Sequence, residues 1–374
     1  MWFLYGLRIF ERGAVDFMRI VLTGGGTAGH VTPHLALIPK LQKEGWEIHY
    51  IGSENGMERE LIGAIEGVTY HGVKSGKLRR YHDMKNFTDP FRVIAGMGQA
   101  AKLIRKLKPN VVFSKGGYVS VPVVYAAALN RVPTLIHESD MTSGLANKLS
   151  LPFAKVLMCT FPETAKEAGE KGLYIGSPIR DELLRGNRER GLKTFGFNDS
   201  RPVLLVVGGS LGAQAINRAV RKALPKLTQC FQVLHICGNG NTDSVYEGMQ
   251  GYTQTQYLNE AMPDAYACAD VIVSRAGSNT ICELLALRKP SLLIPYPSTA
   301  SRGDQEINAA SFLRRGFSRV LEQSDLTPET LVERVVEVYR DRGELIDCMN
   351  REPMTHSVDR IMEQIHKYAR KDKE

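Results

Sequence analysis

Glycines recur in this chain where a backbone would have to approach an anion. Gly24, Gly25, Gly26 and Gly29 lie between the apolar run RIVLT and the segment TPHLALIPKL, Gly116 and Gly117 follow NVVFS, and Gly208 and Gly209 follow PVLLVV. A loop without Cβ atoms lets its N–H groups close on phosphate oxygens, and a helix that follows adds the positive end of its dipole. One such loop, here a literal GxGxxG, is as readily a bare tight turn as a dinucleotide site. Three loops at strand ends point to a ligand held between two sheets, because open α/β sheets take their ligands at the carboxyl ends of the strands. A nicotinamide dehydrogenase would use the first loop and leave the other two unexplained.

The stretch SRAGSNTICE, residues 274–283, adds a polar helix start. Its first-turn residues Ser278, Asn279 and Thr280 would present N–H groups to a phosphate. Glu283, about one turn further, could accept both hydroxyls of a ribose, or could simply complement the helix dipole. Downstream, Asp304 and Gln305 stand at another strand-to-helix junction in SRGDQEINAA. Short polar acceptors there suit the hydroxyls of a sugar, and an Asp there is also a common helix cap.

The elements that must hold these residues alternate. From Arg19 the pattern is strand, glycine loop, helix and strand (EIHYIG), then NVVFS, a helical GGYVSVPVVYAAALN, PTLIHE and AKVLMC. Strands alternating with helices predict parallel sheets covered on both faces. The pattern lapses in a charged stretch at residues 177–201 and restarts at PVLLVVGGSLGAQAINRAV, which places the interdomain boundary there. The expected organisation is a Rossmann-like domain over residues 18–178 and a second over 179–355. A final amphipathic helix within 356–374, with Val358, Ile361, Ile365 and Tyr368 at helical spacing, completes the first. Residues 1–17 read as an extension outside the fold, because Met18 stands directly before the first strand.

Composition narrows the partners. A net charge of +8 permits anionic lipid or phosphorylated small molecules. No nucleic-acid-binding module accompanies it, so nucleic acid is not an expected partner. The six cysteines form no CxxC pair, which suits a reducing compartment and suggests neither disulfides nor a zinc site. No run approaches the roughly 18 apolar residues of a membrane span.

Taken together, GGGTAGHVTPHLAL, SKGGYVSVP, IHESDMTSGLANKL, GSPIR, VVGGSLGAQAIN, SRAGSNTICE and GDQEINA, in order over nearly the whole chain, resemble the MurG-type N-acetylglucosaminyltransferases of bacterial cell-wall synthesis. The resemblance implies an α/β GT-B fold, two Rossmann-like domains whose parallel sheets face each other across a cleft. It implies UDP-N-acetylglucosamine as donor, undecaprenyl-linked lipid I as acceptor, and inversion without a cofactor or required metal. It also implies a protein bound peripherally at the cytoplasmic face of the cell membrane. Carried over by position, Ser210 and Arg180 would contact the donor diphosphate, Leu258 would read uracil through its backbone, Glu283 would hold the ribose, and Gln305 with Asp304 would read the sugar. Thr27, Ala28, Gly29 and His30 would lie at the reacting centre, while Gly24, Gly25, Gly26, Gly116 and Gly117 would hold the acceptor diphosphate.

This chain departs from the pattern where it reads His137-Glu138-Ser139-Asp140 in place of the commoner HEQN, since Asp140 accepts a hydrogen bond but cannot donate one as an amide does. Loop N–H groups, a helix dipole and Arg180 or Arg275 are the expected partners of the departing diphosphate. His30 is the candidate base, because imidazole titrates near neutrality, and Glu138 is its rival. A GT-B transferase acting on another lipid or a soluble acceptor is the alternative, because its donor half would look the same.

Residues 74–92, KSGKLRRYHDMKNFTDPFR, carry six basic and two acidic side chains interleaved with Leu78, Tyr81, Met84, Phe87 and Phe91. That mixture suits an anionic bilayer surface, and it equally suits a solvated loop covering the neighbouring helix. If the segment docks on lipid, replacing Lys77, Arg79 and Arg80 by Ser weakens binding to anionic vesicles by about 1 kcal/mol per charge and lessens its salt dependence. Co-sedimentation left unchanged by the triple substitution moves the docking surface elsewhere.

Overall fold

The computed structural model describes residues 18–75, 89–209, 212–300, 303–352 and 356–371. Among the described residues thirteen strands form two sheets. The first contains β1 (Arg19–Thr23), β2 (Glu47–Ser53), β3 (Val68–Val73), β4 (Val111–Ser114), β5 (Thr134–Glu138), β6 (Val156–Cys159) and β7 (Gly172–Tyr174), in the order β3-β2-β1-β4-β5-β6-β7. The second contains β8 (Val203–Val207), β9 (Gln232–Ile236), β10 (Tyr252–Thr255), β11 (Val271–Ser274), β12 (Ser291–Leu293) and β13 (Arg319–Val320), in the order β10-β9-β8-β11-β12-β13. Every pairing is parallel. The strand order reverses beside β1 in one sheet and beside β8 in the other, and these are the places where such sheets bind ligands.

Alternation along β1 explains why the sheet is covered twice. Ile20 and Leu22 pack into one layer with Leu37, Leu41 and Phe113, while Val21 packs into the other with Ile51, Val112 and Val123. The helix Thr32–Lys43 that follows the first glycine loop starts with Pro33 in its first turn, where a missing N–H costs nothing.

The charged stretch at 177–201 is not structureless. It contains a 3-10 turn at Asp181–Arg185 and a helix at Arg188–Phe195, whose Leu183, Leu192 and Phe195 enter the core of the second half. Few residues beyond this narrow apolar stripe are buried, so the sequence reads as polar although it is ordered. The six cysteines are free thiols, and Cys159, Cys237 and Cys268 are buried.

The helix Ser357–Tyr368 returns to the first half and lays Ile361, Met362 and Ile365 into its core beside Ile20, Leu37 and Phe113. Lys40 pairs with Asp359, and Asn110 both accepts from the backbone of Arg370 and donates to it. Among the described residues no helix is long and apolar enough to cross a membrane. Because Ile361 and Ile365 are wholly buried, Ile365→Ala should destabilise the first half by about 2–5 kcal/mol. Urea unfolding followed by Trp46 fluorescence measures this, and an unchanged midpoint shows the helix to be dispensable there.

Candidate active site in the cleft between the sheets

The first glycine loop rests on a buried carboxylate. Glu58 is fully buried, and its oxygens accept from Ser53 N (3.0 Å), Ser53 Oγ (2.5 Å) and Gly26 N (3.3 Å). A Cβ on Gly25 would stand 2.6 Å from Glu58 Cδ, so glycine is required there to admit the carboxylate. Gly24 is tied through its carbonyl, which accepts from Tyr50 Oη at 2.9 Å. Of the five residues expected to hold an acceptor diphosphate, Gly26 thus has its N–H committed to Glu58, and an anion would compete with that carboxylate for it. Beyond the loop, Thr27 Oγ1 and His30 Nδ1 are 2.9 Å apart within the short 3-10 turn Ala28–His30.

The second glycine loop meets the first. Gly116 and Gly117 both have left-handed φ, +83° and +82°, and a Cβ on Gly117 would lie 2.2 Å from Gly25 O and 3.2 Å from His30 Nδ1. Lys115, immediately before them, is buried, with Nζ 2.5 Å from His137 Nδ1 and also bonded to Ser139 Oγ. Burial pushes its ammonium down to about 8 despite the attraction of Glu138 and Asp140. Burial likewise brings the neighbouring His34 down to about 3.

Glu138 does not stand ready as a base. Its two oxygens accept from Asp140 N (3.1 Å), Gly144 N (2.8 Å) and Asn147 Nδ2 (2.9 Å), so the carboxylate braces its own loop. Proton transfer to it would break a satisfied buried network, which leaves His30 as the better placed of the two candidates. Asp140 acts as an acceptor twice, from Asn308 Nδ2 at 3.4 Å and from Ser278. A carboxylate serves that purpose as well as an amide would. Burial, with Glu138 and Asp304 nearby, holds its carboxyl above the usual range.

On the opposite wall, the helix Ser278–Ala286 begins after Gly277 and points its N-terminus at the first half. Asn279 Nδ2 donates across the cleft to Gly29 O at 3.1 Å. Glu283 accepts from Tyr266 Oη at 3.2 Å, and burial pushes it up to about 6 against the opposing pull of Arg180 and of Tyr266. Arg180 Nε and Asn279 Oδ1 are buried and have no hydrogen-bond partner among the described residues. Polar atoms left so beside a helix N-terminus fit a ligand that supplies the missing bonds. Thr280 is partly buried in the same first turn, and Leu258 packs partly buried on the second core. Asp304 accepts from Thr142 Oγ1 at 2.7 Å across the cleft, while Gln305 Oε1 takes the Tyr296 N–H at 3.0 Å.

Arg275 is placed differently from expectation. Its guanidinium donates to Ile294 O, Pro295 O and Gln323 Oε1 at 2.6–3.1 Å and lies over the Tyr296 ring, so it locks the β12 end instead of facing a diphosphate. Ser210 and the side chain of Ala28 lie outside the described residues, as do the basic residues Lys77, Arg79 and Arg80. Among the described residues no group of three His, Cys, Asp or Glu side chains gathers where it could hold a metal ion. A cavity of about 560 Å³, lined by Leu35, Tyr174, Ile179, Cys282, Leu285 and Val358, lies behind the helix Ser278–Ala286 and is lined by none of the expected site residues.

Two parallel sheets whose glycine loops and polar helix start converge on one cleft define a two-domain α/β fold that takes its ligand between the halves. Residues 20–158 match the glycosyltransferase family 28 N-terminal domain and residues 203–365 its C-terminal domain. The chain belongs to glycosyltransferase family 28. It is 51% identical over 353 residues to the UDP-N-acetylglucosamine–N-acetylmuramyl-(pentapeptide) pyrophosphoryl-undecaprenol N-acetylglucosamine transferase of Clostridium botulinum, covering 94% of this chain and 99% of the relative. The protein of that name from Clostridium tetani is 49% identical, over 94% and 98% of the two chains. The crystal structure of Acinetobacter baumannii MurG superposes with a TM-score of 0.74 at 25% identity, over 94% and 99%. These findings bear out the family resemblance and the GT-B fold drawn from the motifs.

Glu58, Lys115 and Asn308 escaped the sequence reading. Lys115 adjoins a glycine pair and Asn308 lies within the GDQEINA motif, but a surface Glu, Lys or Asn is the ordinary expectation, and only packing reveals their burial. Removing the Glu58 carboxylate would leave the Gly26 and Ser53 N–H groups without an acceptor. Glu58→Ala should therefore cost about 2–6 kcal/mol in chemical denaturation, at about 1–3 kcal/mol for each of the two orphaned groups. A loss below about 0.5 kcal/mol, the level of an ordinary surface change, refutes the bracing role.

Proposed function

We infer that this protein transfers N-acetylglucosamine from UDP-N-acetylglucosamine to the muramyl 4-hydroxyl of lipid I, forming lipid II with inversion at the anomeric carbon. The observation that carries this reading is the near-full-length similarity to transferases whose names state that donor and that acceptor. In this reading the second half holds the donor. The first turn of Ser278–Ala286, through Ser278, Asn279 and Thr280, receives the diphosphate together with Arg180 and Ser210. Glu283 takes the ribose hydroxyls, the Leu258 backbone reads the uracil, and Asp304 and Gln305 read the sugar. The first half, completed by the helix Ser357–Tyr368, takes the acceptor, with Gly116 and Gly117 as its diphosphate cradle.

His30 serves as the base. With its Nδ1 proton directed at Thr27 Oγ1, 2.9 Å away, Nε2 carries the lone pair. Nε2 takes the proton of the acceptor hydroxyl as the oxygen attacks the anomeric carbon. The bond from that carbon to the β-phosphate oxygen breaks, and its electron pair leaves with UDP. The charge that develops on the diphosphate meets the helix N-terminus and Arg180. The enzyme reaches its lipid-linked acceptor from the cytoplasmic face of the membrane, docked on anionic headgroups.

Incubating the purified protein with labelled UDP-N-acetylglucosamine and a short-chain lipid I analogue tests the reading. Labelled lipid II analogue is the expected product, and transfer only to other lipids or to soluble acceptors overturns it. Glu283→Ala should weaken donor binding by about 1.5–3 kcal/mol, the worth of a charged hydrogen-bond acceptor, with little change in melting temperature. Because burial holds Glu283 up to about 6, its carboxylate is present above that pH and is protonated below it. Donor KM should therefore rise as pH falls through 6 in the wild type and stay flat in Glu283→Ala. An unchanged KM with a lowered melting temperature would show a helix-cap role instead.

A further inference from the structure

Lys115 continues β4 into the cleft, its backbone N–H donating to Thr23 O at 2.9 Å, and only 1% of its surface is exposed. A buried ammonium needs partners. Its Nζ bonds His137 Nδ1 and Ser139 Oγ, and His137 Nε2 in turn donates to Gly176 O at 3.2 Å. The residues that follow the clamped ones, 140–142, reach the other half. Met141 N donates to Asn308 Oδ1 at 3.4 Å, Asn308 Nδ2 to Asp140 Oδ1 at 3.4 Å, and Thr142 Oγ1 to Asp304 Oδ1 at 2.7 Å. Asn308 is itself fully buried and also bonds Ala276 O, just before the donor-side helix.

The geometry assigns Lys115 a positioning role: its ammonium fixes residues 137–140 so that Asp304 and Gln305, carried by the other half, come into register with the reacting centre at the first glycine loop. This rests on the transferase reading above. Lys115 touches no substrate and acts through the segment that it holds. Among the described residues no acidic group bonds it directly, yet its charge lies near Glu138 and Asp140, and without it those two buried carboxylates lose a compensating cation.

Several titratable groups face Lys115: His34 from the helix Thr32–Lys43, His137 and Glu138 from β5, Asp140 beyond it, Cys159 from β6 and Cys282 from the donor-side helix. Burial holds His34 near 3 and His137 well below its ordinary value, and it pushes both thiols up to about 12. Lys115, lowered by burial to about 8, is therefore the member of this set that changes charge in mildly alkaline solution. Turnover should fall as pH rises through 8. Folding stability moves the other way, because the unfolded chain keeps this proton to about pH 10.4 while the native chain releases it earlier. A lysine serving packing alone would not lower turnover while its contribution to stability rises.

The experiment measures transfer to the short-chain lipid I analogue from neutral to alkaline pH, UDP affinity by calorimetry, and melting temperature, for wild type, Lys115→Met, Lys115→Arg and Ser139→Ala. Lys115→Met should lower kcat about ten- to a hundredfold, the scale of a misplaced reacting pair, with UDP affinity held within about twofold. Ser139→Ala removes an acceptor of the charged form and should shift the alkaline limb to lower pH, whereas Lys115→Arg should abolish that limb. Wild-type turnover at Lys115→Met, or kcat, UDP affinity and melting temperature falling together, overturns the inference. Should Lys115→Met not fold, a wild-type profile without an alkaline limb, or one that Ser139→Ala leaves in place, overturns it as well. A wild-type protein that binds UDP yet transfers nothing to the lipid I analogue refutes the transferase reading, and this inference with it.

Discussion

Parallel pairing is the constraint from which the rest follows. A strand can return to lie parallel to its predecessor only through a crossover, so every strand of a parallel sheet ends at the same edge and every loop that follows gathers there. In this protein the constraint operates twice, in sheets of seven and six strands. The active cleft is the consequence of turning two such edges toward each other. The glycine loops after β1 and β4 and the polar helix start after β11 meet although more than two hundred residues separate Gly29 from its partner Asn279.

Holding those edges in register falls to a small number of buried polar side chains. Glu58 supports the first loop from below, Glu138 ties down the turn after β5, and Asn308 joins that turn to the second half. Glu58 and Glu138 accept from backbone N–H groups, a hydroxyl and an amide, while Asn308 accepts from Met141 N and donates to Asp140 and to Ala276 O. Buried polar networks of this kind confer specific geometry more than net stability, since the desolvation of each group offsets much of what its bonds return. The apolar layers of the two cores supply the stability, and the polar groups decide how the loops are presented.

The two walls differ in character. The start of the helix Ser278–Ala286 combines a positive dipole end with Arg180 nearby, and the buried polar atoms Arg180 Nε and Asn279 Oδ1 there have no hydrogen-bond partner among the described residues. The opposite wall sets a carboxylate, Glu58, under one glycine loop and an ammonium, Lys115, at the start of the next. Glycine loops that look alike in sequence thus present unlike electrostatic surroundings.

The amino-acid sequence by itself determined the class of this protein. Strand-helix alternation, repeated glycine loops and the ordered series of motifs establish two α/β halves and a family, because hydrophobic periodicity and turn chemistry are local properties. Glu283, Asp304 and Asn279 were also legible, since each stands at a recognisable junction. Which charged residues are buried, and what they hold, was decided only by the tertiary structure. Arg275 and Glu138 read as groups for chemistry, yet packing commits one to the carbonyls at the end of β12 and the other to its own loop. Lys115, Glu58 and Asn308 read as ordinary polar residues, yet they lie fully enclosed where the cleft is assembled. Burial is a property of everything that packs around a side chain, and no spacing along the chain encodes it.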